Sequence, residues 1–212
     1  MTTDIIARLD ALPLVAILRG LEPAGAVEVG EALVEAGLTC LEVPLNSPRP
    51  LDSIERLRSA LGDRAIVGAG TVLTAEAVKE VAAAGGQIII SPNTDVAVIR
   101  AARAAGLASM PGFFTPSEAF AAIGAGAQVL KLFPAEVAGT AGLKAVRAVL
   151  PAEQRVYAVG GVEPDSVAAW RSAGASGFGI GSAIYRAGRS ATETGERAAA
   201  FVAAWTGSSP RP

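Results

Sequence analysis

Eight short apolar runs recur along the chain. They are LVAILRG from Leu14, TCLEVPLN from Thr39, RAIVGAGT from Arg64, QIIISPN from Gln87, LASMPGF from Leu107, QVLKLFPA from Gln128, RVYAVGGV from Arg155 and SGFGIGSA from Ser176. Most are apolar on both parities instead of alternating, which is the pattern of parallel strands covered on both faces. Between them lie alanine-rich segments with helical spacing, such as AGAVEVGEALVEAG, TAEAVKEVAAAGG and PDSVAAWRSAGA. Several end in Ala-Gly directly before the next run, at Ala36-Gly37, Ala84-Gly85, Ala105-Gly106, Ala125-Gly126 and Ala173-Gly174. Glycine in that place is the usual left-handed cap of a helix. Helix starts carry matching signals: Thr74 with Glu76, Thr115-Pro116-Ser117-Glu118, and Pro164-Asp165.

Eight strand-helix units predict an α/β protein of the (β/α)8 barrel type. A doubly wound sheet is the structural competitor. It is disfavoured because no Gly-x-Gly-x-x-Gly opens after the first strand and no change of composition marks two halves. The 212 residues then form a single barrel domain, with an extra N-terminal helix over Asp4 to Leu12 and a flexible tail from Thr206.

In such barrels the C-terminal ends of the strands carry the ligand site. The ends here present Arg19, Glu42 with Asn46, Thr71, Ser91 with Asn93, Thr115, Lys131, Gly160-Gly161 and Gly181-Ser182. Alternation along the sixth strand turns Val129, Lys131 and Phe133 inward, and along the second it turns Glu42 and Pro44 inward. Strands two and six of eight stand opposite each other, so Glu42 and Lys131 can approach across the barrel mouth. One reading of that pair is a structural salt bridge. The other is chemistry, because a buried ion pair is costly to desolvate. The glycines of the last two strand ends, Gly160, Gly161, Gly179 and Gly181, would let backbone N–H groups reach a phosphate, or merely serve tight turns.

Composition narrows the chemistry. Histidine is absent and Cys40 is the single cysteine, so histidine-based zinc sites, Ser-His-Asp triads and disulfide frameworks are excluded. The net charge of -2, without a basic run, argues against nucleic acid as a partner. No apolar run approaches the roughly 20 residues of a membrane span and the N-terminus lacks a signal-peptide pattern, so a cytoplasmic location is expected. Fifteen arginines stand against three lysines, which makes Lys131 a place where arginine would not serve. A neutral amine attacks a ketone, whereas guanidinium stays protonated and forms no useful imine. Lys79 and Lys144 lie in helical patterns and read as surface residues, and Cys40 reads as core.

LEVPLNSP, VGAGTVL, SPN, MPGFFTPSEAF, VLKLFPAE, AVGGV and GSAIYRAG, in this order, resemble the class I aldolases that cleave 2-dehydro-3-deoxy-6-phospho sugar acids. AILRG, EVPLNSP and AVGGV with GSAIYRAG are closest to the galactonate branch, whereas KLFPAE and FTPSE read more like the gluconate branch. The resemblance implies a Schiff base on Lys131, Glu42 as general acid and base, and no metal or other cofactor. It implies Arg19 and Thr71 on the pyruvyl carboxylate, Gly161, Gly181 and Ser182 with Gly160 on the 6-phosphate, and Phe133 against the imine. It further implies a small phosphorylated sugar acid as substrate and a homotrimer as the assembly. A gluconate or 4-hydroxy-2-oxoglutarate aldolase shares every catalytic role, and a non-catalytic phosphate-binding barrel is the alternative from another class.

Overall fold

The computed structural model describes residues 2–207, with the side chains of residues 2–4 left aside. Among the described residues nine parallel strands form one sheet: β1 (Leu14–Ile17), β2 (Cys40–Pro44), β3 (Ile66–Gly70), β4 (Ile88–Ile90), β5 (Ala108–Met110), β6 (Gly112–Phe113), β7 (Val129–Leu132), β8 (Arg155–Val159) and β9 (Gly177–Ile180). Each of the eight apolar runs supplies a strand, and the fifth supplies two. Its order is β5-β4-β3-β2-β1-β9-β8-β7-β6, so the two ends of the sheet are halves of one segment parted by Pro111.

Proline has no N–H to give to a ladder, and here the strand changes partners at it. The Met110 carbonyl accepts from Ser91 N–H on the β4 side, and the Pro111 carbonyl accepts from Lys131 N–H on the β7 side. The barrel closes through that one residue. What the sequence presents as eight strands is thus eight barrel positions, the fifth of them bent.

Alternation sorts the strand residues into two layers. Leu41, Val43, Leu130, Leu132, Val156 and Ala158 belong to the core between sheet and helices. Val15, Cys40, Ile66, Ile88, Met110, Val129 and Tyr157 fill the barrel interior together with Ile5 and Leu9. Those last two come from α1 (Thr2–Ala11), which stops the N-terminal end of the barrel. It begins and ends slightly earlier than the expected Asp4 to Leu12. Cys40 is core, as its apolar surroundings in sequence imply.

The helices that return the chain are α2 (Ala26–Glu35), α3 (Pro50–Leu61), α4 (Ala75–Ala83), α5 (Val96–Ala104), α6 (Pro116–Gly124), α7 (Ala135–Arg147), α8 (Val167–Ser172) and α9 (Ala191–Gly207). The start signals act as read. Thr74 Oγ1 accepts from Ala77 N–H at 3.1 Å, and Thr115 with Glu118 forms a full capping box on α6. All five Ala-Gly stops put the glycine at φ between 74° and 103°, the left-handed region that a side chain avoids. Pro164-Asp165 opens a 3-10 turn that leads into α8. Contrary to the expected tail, Thr206 and Gly207 still belong to α9, and residues 208–212 lie outside the described residues. No helix among the described residues is long and apolar enough to cross a membrane.

Candidate active site

Lys131 and Glu42 both point into the barrel near the C-terminal strand ends, and both are buried, at 6% and 2% exposure. They line one narrow cavity with Val15, Ile17, Ile90, Met110, Val159 and Gly179. Six of those eight residues have no charge to offer and Gly179 adds only backbone to an otherwise aliphatic wall, so the surroundings desolvate both groups. No salt bridge joins the two among the described residues, and Glu42 Oε2 has no hydrogen-bond partner there. The pair is therefore not a salt bridge at contact distance.

Burial dominates both titrations. It pushes the Glu42 carboxyl up to about 7 from its ordinary 4.5, against the opposing pull of Lys131 and Arg19. It draws the Lys131 ammonium below its usual 10.5, opposed by Glu42 and assisted by Arg19. Each group is moved toward its neutral form. Phe133, half-buried on the next turn of chain, sets its ring 4.8 Å from Lys131 Nζ, which adds apolar cover and a weak attraction for the ammonium.

Above this pair opens a cleft of about 230 Å3. Arg19, Phe133, Gly160, Gly161, Gly181 and Ser182 all line it, so six residues from four strand ends meet in one place. Ile17, Val159 and Gly179 are shared between the cleft and the cavity below, which sets the two against each other. The N–H groups of Gly161, Gly181 and Ser182 find no acceptor among the described residues. Gly160 and Gly161 have φ of 109° and 68°, a loop path closed to ordinary side chains. Residues after Ser182 form a turn and those after Gly161 lead to a 3-10 turn, not the α-helix start expected at an anion site. Arg186 and Arg189 donate to the Ser182 carbonyl at 3.2 and 3.1 Å, holding that loop in place.

Arg19 is exposed and donates to Asn46 Oδ1 at 2.7 Å, while Gly20 N–H donates to the buried Ser47 Oγ at 3.0 Å. The loops after β1 and β2 are thereby tied together over the pair. Thr71 lines neither cavity. It follows Gly70 at the end of β3 with φ 56°, a strained value for a β-branched residue. The Gly70 carbonyl accepts from Leu45 N–H and Val72 N–H donates to Ile90, and these flanking bonds impose the conformation. Ser91 and Thr115, two strand-end candidates, are taken by structure: Ser91 Oγ donates to the Val72 carbonyl at 2.7 Å and Thr115 caps α6. Asn93 is exposed, as are Lys79 and Lys144.

Sequence reading missed Gly70 and Glu136. A methyl group at Gly70 would fall 1.5 Å from Glu42 Oε2, so this glycine is the floor on which the carboxylate lies. Glu136, in the first turn of α7, lines the upper cleft. Its signal was a carboxylate just beyond a barrel strand end, five residues after Lys131. Among the described residues no group of three or more Cys, Asp or Glu is placed to hold a metal ion.

The chain is 48% identical over 194 residues to 2-dehydro-3-deoxy-6-phosphogalactonate aldolase of Escherichia coli K12, covering 92% of this chain and 95% of that protein. A solved structure described as native KDPGal is superposable at TM-score 0.91, with 47% identity over 93% of this chain and 96% of that one. The KDPG aldolase of Legionella pneumophila, solved with pyruvate captured as a covalent carbinolamine, is 27% identical at TM-score 0.82, covering 92% and 96%. The family model described as KDPG and KHG aldolase matches residues 5–198, and with the barrel and its buried lysine–carboxylate centre this shows that the chain belongs to that aldolase family.

Proposed function

We propose that the protein is a class I aldolase that reversibly cleaves 2-dehydro-3-deoxy-6-phospho-D-galactonate to pyruvate and D-glyceraldehyde 3-phosphate. The observation that carries this reading is the buried Lys131 facing a buried Glu42, each displaced toward its neutral form with no salt bridge between them. Neutral Lys131 Nζ attacks the C2 ketone, and protonated Glu42 gives its proton to the carbinolamine hydroxyl, which leaves as water; an iminium ion and an ionised Glu42 remain. The C3–C4 bond then breaks: the C4 hydroxyl gives its proton to Glu42, directly or through water, and the bonding pair flows into the iminium as an enamine. Glyceraldehyde 3-phosphate leaves, the enamine takes a proton at C3, and hydrolysis frees pyruvate and Lys131. The nitrogen serves as electron sink, so the sequence of steps calls for no metal.

Arg19 and Thr71 hold the pyruvyl carboxylate in this reading, with a charge-assisted bond from the guanidinium. The free N–H groups of Gly161, Gly181 and Ser182, with Gly160 beside them, hold the 6-phosphate, and Phe133 covers the imine. The galactonate configuration is favoured by the E. coli relative. A homotrimer fits the exposed apolar side chains Leu73, Phe114, Phe120 and Val137, and sedimentation at micromolar concentration reads its mass. The phosphorylated substrate fits a cytoplasmic enzyme.

Borohydride reduction in the presence of pyruvate tests the chemistry: a stable adduct on Lys131 is expected. An unchanged intact mass would support a non-catalytic phosphate-binding barrel instead. Cleavage rates of the two C4 epimers test the substrate, and a large preference for the gluconate form would reassign the chain to the sister activity. Activity is expected to survive a chelator.

A further inference from the structure

The upper cleft is shaped for an anion, yet it contains a carboxylate that the mechanism does not use. A methyl group added at Gly160 would stand 1.9 Å from Glu136 Oε2, and one at Gly161 would stand 2.7 Å from Glu136 Cβ. The side chain therefore lies flat across both glycines, in the space their missing side chains leave. Its carboxylate makes no hydrogen bond or ion pair among the described residues. Glu163, the other carboxylate on this lining, belongs to the capping box that starts the turn at Pro164.

An ionised carboxylate accepts hydrogen bonds and donates none. Beside a phosphate it costs affinity by like-charge repulsion, unless it makes a bond of its own with the same ligand. Two kinds of donor lie on the chain that joins imine to phosphate. The C4 hydroxyl hands its proton toward Glu42, in the cavity below. The C5 hydroxyl is one carbon nearer the phosphate, and with the phosphate on the glycine loop it would stand beside Glu136, which rests on that loop. We propose that Glu136 is a substrate-binding, specificity-determining residue that accepts a hydrogen bond from the C5 hydroxyl, and so selects aldehydes with a hydroxyl next to the carbonyl carbon. The inference rests on the aldolase reading above.

The test is aldol addition of pyruvate to two aldehydes, D-glyceraldehyde 3-phosphate and 3-phosphooxypropanal, which lacks only that hydroxyl. With the hydroxylated aldehyde, Glu136→Ala is expected to lose about 10-fold or more in kcat/KM, as for a hydrogen bond to a charged group. Glu136→Gln, which keeps a neutral acceptor, loses less. With the deoxy aldehyde, both variants match the wild type or improve on it as the repulsion is relieved. Equal losses with both aldehydes, equal gains with both, or no change with the hydroxylated one would each overturn the proposal. Borohydride trapping with pyruvate, run on all three proteins, separates the two levels. Trapping in every protein leaves the aldolase reading intact whatever Glu136 does, whereas its failure in the wild type defeats that reading itself. Glu136 is exposed, so these variants are expected to keep the wild-type thermal midpoint, and a drop in it would point to a structural role.

Discussion

Gly70→Ala tests how Glu42 is held. The added methyl would lie 1.5 Å from Glu42 Oε2, 2.3 Å from Cδ and 2.5 Å from Oε1. Ordinary contact needs about 3.5 Å, so the carboxylate must move by roughly 2 Å from where it now lies. Gly70 is absent from the positive-φ glycines, and alanine is permitted there by the backbone, so the only obstacle is space. A misplacement of about 1 Å in a catalytic group costs on the order of 100-fold. The variant is expected to lose at least that in kcat, about 3 kcal/mol of barrier, at a folding cost of about 1 to 3 kcal/mol from overpacking. The assay is steady-state cleavage in four proteins: wild type, Gly70→Ala, Glu42→Ala and the double variant. If Gly70 acts through Glu42, the methyl costs less than about 3-fold once the carboxylate is gone. Losses that multiply in the double variant, or an unchanged kcat in Gly70→Ala alone, would refute the reasoning. The alkaline limb set by Glu42 should also fall below about 7 in Gly70→Ala, since a displaced carboxylate recovers part of its hydration.

Lys131→Arg keeps charge and approximate bulk and is expected to lose at least about 1,000-fold in cleavage with the fold intact by circular dichroism; substantial turnover would show that the amine is not the nucleophile. Because Glu42 titrates near 7 in the fold and near 4.5 when unfolded, the folded state holds the extra proton between those values and loses stability as pH rises through them. Glu42→Gln removes that loss, so its stability relative to wild type should grow by roughly 3 kcal/mol between pH 4 and 8 in denaturant titrations, then level off; a constant difference would contradict the raised pKa. Thr71→Gly relieves the left-handed backbone at φ 56° and is expected to gain about 0.5 to 1 kcal/mol in stability, while raising the KM for pyruvate in the aldol direction. A thermal midpoint below that of the wild type would argue against strain at that residue.

Much of the barrel was legible because the signals for it are local. Runs apolar on both parities, threonine caps and Ala-Gly stops depend on a residue and its near neighbours in the chain, and each resolved into the element it implied. The inward facing of Lys131 and Glu42 followed from a period of two along a strand, which no later packing can reverse without moving the whole core face. Tertiary structure decided what depends on contact between distant segments. Pro111 closes the ring only because β4 lies on one side of it and β7 on the other. Gly70 matters because a carboxylate from the neighbouring strand lies on it, and Glu136 because the two glycines that follow β8 leave it room. The direction of the Lys131 shift belongs with these: its opposing causes, burial and the Glu42 charge, were both visible in the residues, but their balance is set by how much water the folded walls exclude.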